Sequence, residues 1–312
     1  MTRTPTTAPT VWPALPLDSW RDTHATLHMW TQIVGKTRLA LAPMENHWWQ
    51  VALYVTPRGL TTSAMPSGTR TVEVEFDFLD HLLVMRTSDG AVRSLPLAPQ
   101  SVADFFAVYL ETLRALDIDV RMMPVPVEVE RAIPFAEDRE HAAYDATAVS
   151  RWWQQMVQAD RLLKRFRGRF AGKASPVHFF WGGFDLAATR FSGRPAPKHR
   201  GGIPNCPDWV MVEAYSHECA SAGFWPGGGA LTQPAFYAYA YPEPAGYREY
   251  AVRPDGAYYS EELGEFILPY DVVRAAPSPD DAVLEFLQST YEAAADLARW
   301  DRAALERPRA HW

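Results

Sequence analysis

The sequence predicts an α+β fold: antiparallel sheet meanders flanked by helices, with the order helix, meander, helix occurring twice. Three observations carry this. Residues 72–78 alternate strictly, with Val72, Val74, Phe76 and Phe78 on one face and Glu73, Glu75 and Asp77 on the other, the pattern of a half-buried strand. Short strand-like runs are joined by turn signals such as Asp80-His81 and Ser88-Asp89-Gly90, too short for parallel crossovers. Four longer stretches repeat apolar residues at three- and four-residue steps, as amphipathic helices do.

In chain order, residues 1–17 read as a disordered Pro- and Thr-rich tail. Asp18-Ser19 caps a helix running to Val34, with Gly35 as its stop. Strands are expected at 48–55, 59–64, 72–78 and 82–87, then a helix with the stripe Val102, Phe105, Phe106, Tyr109, Leu113, Leu116. This N-terminal half spans 18–125. Residues 126–144, broken by Pro126 and Pro134, read as a linker or crossover. The C-terminal half spans 145–299. It opens on a helix near Asp145 and continues with strands at 176–181, 184–192, 208–217, 219–225, 235–241 and 265–268. A helix starting at Asp280-Asp281 closes it, and 300–312 reads as a frayed end. Residues 47–54 echo 178–184, and 74–81 echo 210–217, which suggests two related halves sharing a continuous sheet.

Composition narrows the function. A net charge of −7 supplies no field for DNA, RNA or anionic lipid, so neither nucleic acid nor membrane is an expected partner. Two cysteines, Cys206 and Cys219, form no disulfide framework and no zinc-knuckle spacing. With no apolar run after Arg3 and no membrane-length segment, the expected location is the cytoplasm. The many Trp, Tyr and Phe residues suit both core and pocket walls.

The richest window for chemistry is 176–229. Read as a strand, 209–218 places Val210, Val212 and Ala214 inward, and Met211, Glu213, Tyr215 and His217 on one polar face roughly 6.5–7 Å apart. On that reading His217 is a general base, Glu213 its partner or the acid, and Tyr215 and Asp185 neighbours in the site. Arg190 or Arg194 would anchor an anionic substrate, between walls of Trp181, Trp225 and Tyr239. The competing reading is a solvated strand face with structural ion pairs. A metal variant gathers His178, His199, His217 and Glu218, although no HxH, HxxxH or HExxH spacing supports it. No cofactor motif is present: Gly182-Gly183 and Gly227-Gly228-Gly229 lack the P-loop and dinucleotide patterns and read as close-approach turns. The expectation is an enzyme using acid–base chemistry on a small anionic organic molecule. The alternatives are a non-catalytic binder with an aromatic cavity, and an interaction scaffold.

The blocks at 26–36, 46–49, 59–63, 175–182, 189–194, 213–218 and 223–227 together resemble an uncharacterised bacterial family of about this length. The resemblance spans nearly the whole chain and implies that the halves form one unit; it brings no activity, cofactor or catalytic residue. Gly183 and Cys219 depart from the family's Ser and Val.

Overall fold

In the computed structural model, which describes residues 11–229 and 231–308, two antiparallel sheets are built and flanked as an α+β fold. Helix α1 (Arg21–Leu41) is followed by β1 (Tyr54–Val55), β2 (Gly59–Thr61), β3 (Met65–Ser67), β4 (Arg70–Asp77), β5 (Leu82–Thr87) and β6 (Val92–Pro96). These pair in the order β1-β2-β4-β5-β6, with β3 also on β4. The alternation sets which face is buried: Val72, Val74, Phe76 and Phe78 lie in the core. On the other face Arg86 holds Glu75 at 2.8 Å. Helix α2 (Val102–Arg114) begins where Ser101 accepts the Asp104 N–H.

The second half opens with α3 (Ala146–Gly168), capped by Asp145, whose carboxylate accepts the N–H groups of Thr147 and Ala148. Then come β7 (His178–Phe180), β8 (Asp185–Pro195), α4 (Asp208–Ala214), β9 (His217–Trp225), β10 (Ala235–Tyr241), β11 (Tyr258–Ser260) and β12 (Glu265–Pro269). The sheet runs β11-β12-β10-β9-β8-β7. Helices α5 (Tyr270–Ala275), α6 (Pro279–Leu297) and α7 (Arg302–Leu305) end the described chain. The sheets remain separate but touch, since Leu53 and Phe179 exchange backbone hydrogen bonds of 2.9 and 2.8 Å. One core cluster runs through both halves. Trp152 of α3 sits between them, against Trp20 and Phe78 from the first and Phe179 and Phe184 from the second.

Several local expectations are corrected by tertiary contacts. Residues 46–51 form a 3₁₀ segment in place of a strand, with His47 and Trp48 in the left-handed region at φ +59° and +63°. Residues 12–17 are packed: Trp12, Leu15 and Leu17 are buried, and the Pro13 carbonyl accepts from Gln155 and Tyr270. Residues 1–10 of the expected tail, and 309–312 at the other end, lie outside the described residues. Trp300 is buried, and Leu305 bonds to Ala171. The proline-rich stretch 126–144 is anchored as well, with Phe135 and Asp138 buried.

Gly35 does not stop α1; it lies inside the helix, where its missing side chain lets the Trp181 indole cross. A Cβ there would stand 2.2 Å from the ring, whose Nε1–H is committed to the Val51 carbonyl at 2.8 Å. Helix propensity alone predicts that Gly35→Ala stabilises by about 1 kcal/mol. The packing predicts the opposite, a net loss of about 1–2 kcal/mol in urea unfolding, since overpacking a filled site outweighs that gain. A gain in stability would show that the indole is free to move.

Candidate functional site

The segment expected to be the site's strand is split. Pro207 is extended, Asp208 to Ala214 turn as the short helix α4, and β9 begins only at His217. Two contacts override the β-branched alternation. The Asp208 carboxylate accepts the Gly202 N–H at 2.9 Å, and Trp209 packs on Trp48 with ring centres 5.1 Å apart. Glu213, Tyr215 and His217 therefore share no strand face. Glu213 reaches the His47 N–H at 3.4 Å, Tyr215 turns inward to Tyr239, and His217 lies beside Ser216 and the edge of the His47 ring.

The second sheet nevertheless has one polar face. Strand register places Asp185 and Thr189 of β8, Ser221 and Gly223 of β9, Tyr237 and Tyr239 of β10, and Glu265 of β12 on the same side. The opposite side, with Leu186, Ala188, Ala222, Phe224 and Phe236, packs into the core under α3 and α6. On the polar side Tyr237 donates to the Asp185 carboxylate. The Tyr215 and Tyr239 hydroxyls are 2.7 Å apart, and those of Thr189 and Ser221 2.9 Å apart. Gly223 is required here, because a Cβ would fall 2.4 Å from the Tyr237 hydroxyl.

A second carboxyl arrives from the proline-rich stretch. Gln32 of α1 clamps Val127 with two 2.8 Å hydrogen bonds, and the Glu128 N–H donates to the Pro204 carbonyl, which lays Glu128 over the turn at Gly182 and Gly183. Both glycines make room for carboxyls. A Cβ on Gly182 would lie 2.1 Å from the Glu128 carboxylate; one on Gly183 would lie 2.8 Å from an Asp185 oxygen and 3.7 Å from one of Glu128. The backbone is strained on both sides, with Glu128 at φ +59° and Phe184 at φ +60°. Non-glycine residues in that region cost of order 1–3 kcal/mol each and persist only where their surroundings hold them.

Burial raises the proton affinity of these acids. Asp185 is pushed up to about 6 by desolvation, against the Tyr237 hydrogen bond. Glu128 is pushed up to about 7, first by desolvation and then by the charge of Asp185, and Glu265 to about 7 for the same two reasons. Among the described residues none of the three has an ion-pair partner. Asp185, Glu265, Tyr215 and Tyr239 are half-buried and Glu128 is exposed with its carboxyl tucked against Gly182, so the polar face opens to solvent where Glu128 crosses it, and this opening is the candidate cleft.

Other expected residues lie elsewhere. Arg190 is on the core side of the sheet, stacked on Phe166 at 3.4 Å and near Tyr291 and Phe170, and burial lowers its pKa to about 9. Its position follows from parity, five residues from Asp185 on one strand. Arg194 is spent on Glu218 and on the Ala298 carbonyl at the end of α6. Neither can anchor a ligand beside Asp185. Trp181 is buried against α1, whereas Trp225 adjoins Tyr237 on the polar side. The metal candidates are dispersed: His178 lies among the rings of Trp49, Tyr54 and Phe180, His199 stacks on Tyr215, and Glu218 pairs with Arg194. Among the described residues no group of three or more His, Cys, Asp or Glu is placed to hold a metal ion.

The sequence reading missed Glu128 and Glu265. The adjacent glycines 182 and 183, and a lone acid opening the apolar run 265–268, are the signals that mark them. It also missed a smaller cluster in which His47 Nδ1–H donates to the Ala214 carbonyl at 3.0 Å, leaving Nε2 to accept from Lys173 at 2.8 Å.

The chain belongs to the family of unknown function DUF5996, whose model matches residues 12–307. No curated protein and no solved structure matches it.

The raised carboxyls fix a pH dependence. A folded state that holds protons more tightly than the unfolded chain has that advantage in full below the unfolded pKa near 4, and loses it as pH rises through 6 to 7. Asp185→Asn removes one buried charge. It should stabilise the protein by about 1–3 kcal/mol at pH 8 and by nearly nothing at pH 3.5, read from denaturant midpoints. Equal effects at both pH values would contradict the assigned burial.

Proposed function

We propose that the cleft is the active site of an enzyme that moves protons on a small polar organic molecule by general acid–base catalysis, with Asp185 and Glu128 as the working pair. The observation that supports this most is the convergence of the two carboxyls on the Gly182–Gly183 turn, with no ion-pair partner for either among the described residues. Such groups cost stability, and a structural role gives no return for that cost. Two interacting carboxyls raised towards neutrality divide the labour: one keeps its proton and acts as acid while its neighbour acts as base. Tyr237 orients Asp185, and the Tyr215–Tyr239 and Thr189–Ser221 pairs supply hydroxyls for positioning.

The same charge pattern bears on the substrate. With Arg190 and Arg194 committed elsewhere and three acids facing the cleft, a neutral or cationic polar molecule fits better than the anion expected from sequence. The solvent access of this polar face favours catalysis over a dry aromatic binding cavity. Two free thiols, Cys206 and Cys219, and no described helix long and apolar enough to cross a membrane support a cytoplasmic setting.

The test is depletion of compounds from a small-metabolite extract, followed by mass spectrometry. The wild type should consume at least one compound, and Asp185→Asn and Glu128→Gln should each lower that rate by about 10²–10⁴-fold while remaining folded. Undiminished consumption by both variants, or none by the wild type, would refute the proposal.

A further inference from the structure

The connection from β8 to β9, residues 196–216, lies across the candidate cleft. Its Pro204 carbonyl accepts the Glu128 N–H at 2.8 Å, the Asn205 amide donates to the Val129 carbonyl at 3.0 Å, and Tyr215 meets Tyr239 on the polar face. The ends of the connection are tied together, since the Ala196 N–H donates to the Ser216 carbonyl at 2.9 Å. Between them it adds little to the core: α4 has no buried residue, and Trp209 is 61% exposed. Segments with few buried contacts are the ones that open locally at low cost.

Helix α4 is pinned at both ends by the 3₁₀ segment 46–51. Trp48 packs on Trp209 near its start. At its end, His47 gives its backbone N–H to Glu213 at 3.4 Å and its Nδ1–H to the Ala214 carbonyl at 3.0 Å. Tyr215 is the next residue, so this latch fixes the phenol that reaches Tyr239. His47 and Trp48 are adjacent left-handed residues, a backbone that persists only while its surroundings hold it.

The latch needs a neutral imidazole. With its proton on Nδ1, His47 offers Nε2 as an acceptor to the Lys173 amine at 2.8 Å. That Nζ is seated over the rings of Trp49 and Phe191, 5.4 and 5.2 Å from their centres. A proton on Nε2 leaves no lone pair to accept with and sets two cations face to face. Also facing the ring are His217 of β9, with ring centres 5.6 Å apart, and Glu213 of α4. Burial lowers the His47 pKa, helped by the charges of Lys173 and His217 and opposed by the Ala214 hydrogen bond and Glu213.

We infer that residues 196–216 are a lid over the cleft, and that His47 is the positioning residue that latches it and releases it when acid protonates Nε2. This rests on the cleft being the active site proposed above. Closed, the lid holds Tyr215 and Glu128 at the polar face; open, it lets substrate in and product out.

Hydrogen exchange on the unaltered protein, with each rate scaled to the intrinsic rate at its pH, reads the lid directly. Amides of 209–216 should exchange at least about tenfold faster at pH 4.5 than at pH 7.5, the loss expected for one hydrogen bond to a charged group, while β9 and β10 stay protected. The His47 ring, followed by NMR, should titrate below the ordinary value of about 6.5 and with the same midpoint as the lid. His47→Asn, a residue that tolerates the left-handed backbone, should leave the lid fast at both pH values. Lys173→Met should raise the His47 midpoint, because the opposing charge is gone. Equal protection at both pH values, or acid opening that survives unaltered in His47→Asn, would overturn the inference. Because exchange needs no turnover, a lid that stays shut in acid beside intact carboxyl-dependent turnover removes this inference alone, whereas an acid-opening lid without any turnover removes the acid–base proposal alone.

Discussion

Three carboxyl groups under one face of the second sheet, with no cation to balance them, set the terms for everything that surrounds them. Desolvating an unpaired carboxylate is expensive enough that the group holds its proton instead. The fold keeps these acids in place through rigid neighbours. Glycines stand where any Cβ would strike a carboxylate or a phenol, and Phe184 and Glu128 are held left-handed on either side. Phe184 is fixed by stacking on Trp152, so strain beside the cleft is absorbed by the same ring that joins the two halves.

Helix α1 is the link between core and cleft. Leu27, Trp30, Ile33 and Val34 on one side enter the core, while His28 and Gln32 on the other reach across to the loops at 127 and 181–182. The neutral state of His28, whose pKa is lowered to about 4 mainly by burial, suits this holding role, because its two carbonyl partners need only a donor. The first half thus shapes a site whose sheet belongs entirely to the second.

Features decided by local chemistry were readable from the sequence. The alternation of 72–78, the α2 stripe and the Asp145 cap each depend on neighbours a few residues away. Features decided by distant contacts were not. Valines at 210 and 212 suggest a strand, but Asp208 and Trp209 are captured by Gly202 and Trp48, and the segment coils. Gly35 looks like a helix stop only until the Trp181 ring is known to lie on it. For the site, Asp185, Tyr215 and Tyr239 do converge, since all are anchored to the second sheet or to the turn before β9. Glu128 could not be placed, because its approach depends on Gln32, far away in sequence. Arg190 was separable from Asp185 by strand parity alone, and window-level richness obscured that.

The central claim is that Asp185 and Glu128 are protonated far above the ordinary carboxylate range. Carboxyl ¹³C chemical shifts followed across pH, with the two resonances assigned by their loss in Asp185→Asn and Glu128→Gln, measure this group by group. Midpoints near 6 and 7 are the predicted result. Midpoints near the free-acid values of about 4 would mean that the carboxyls face bulk water, and the account of the cleft would fall.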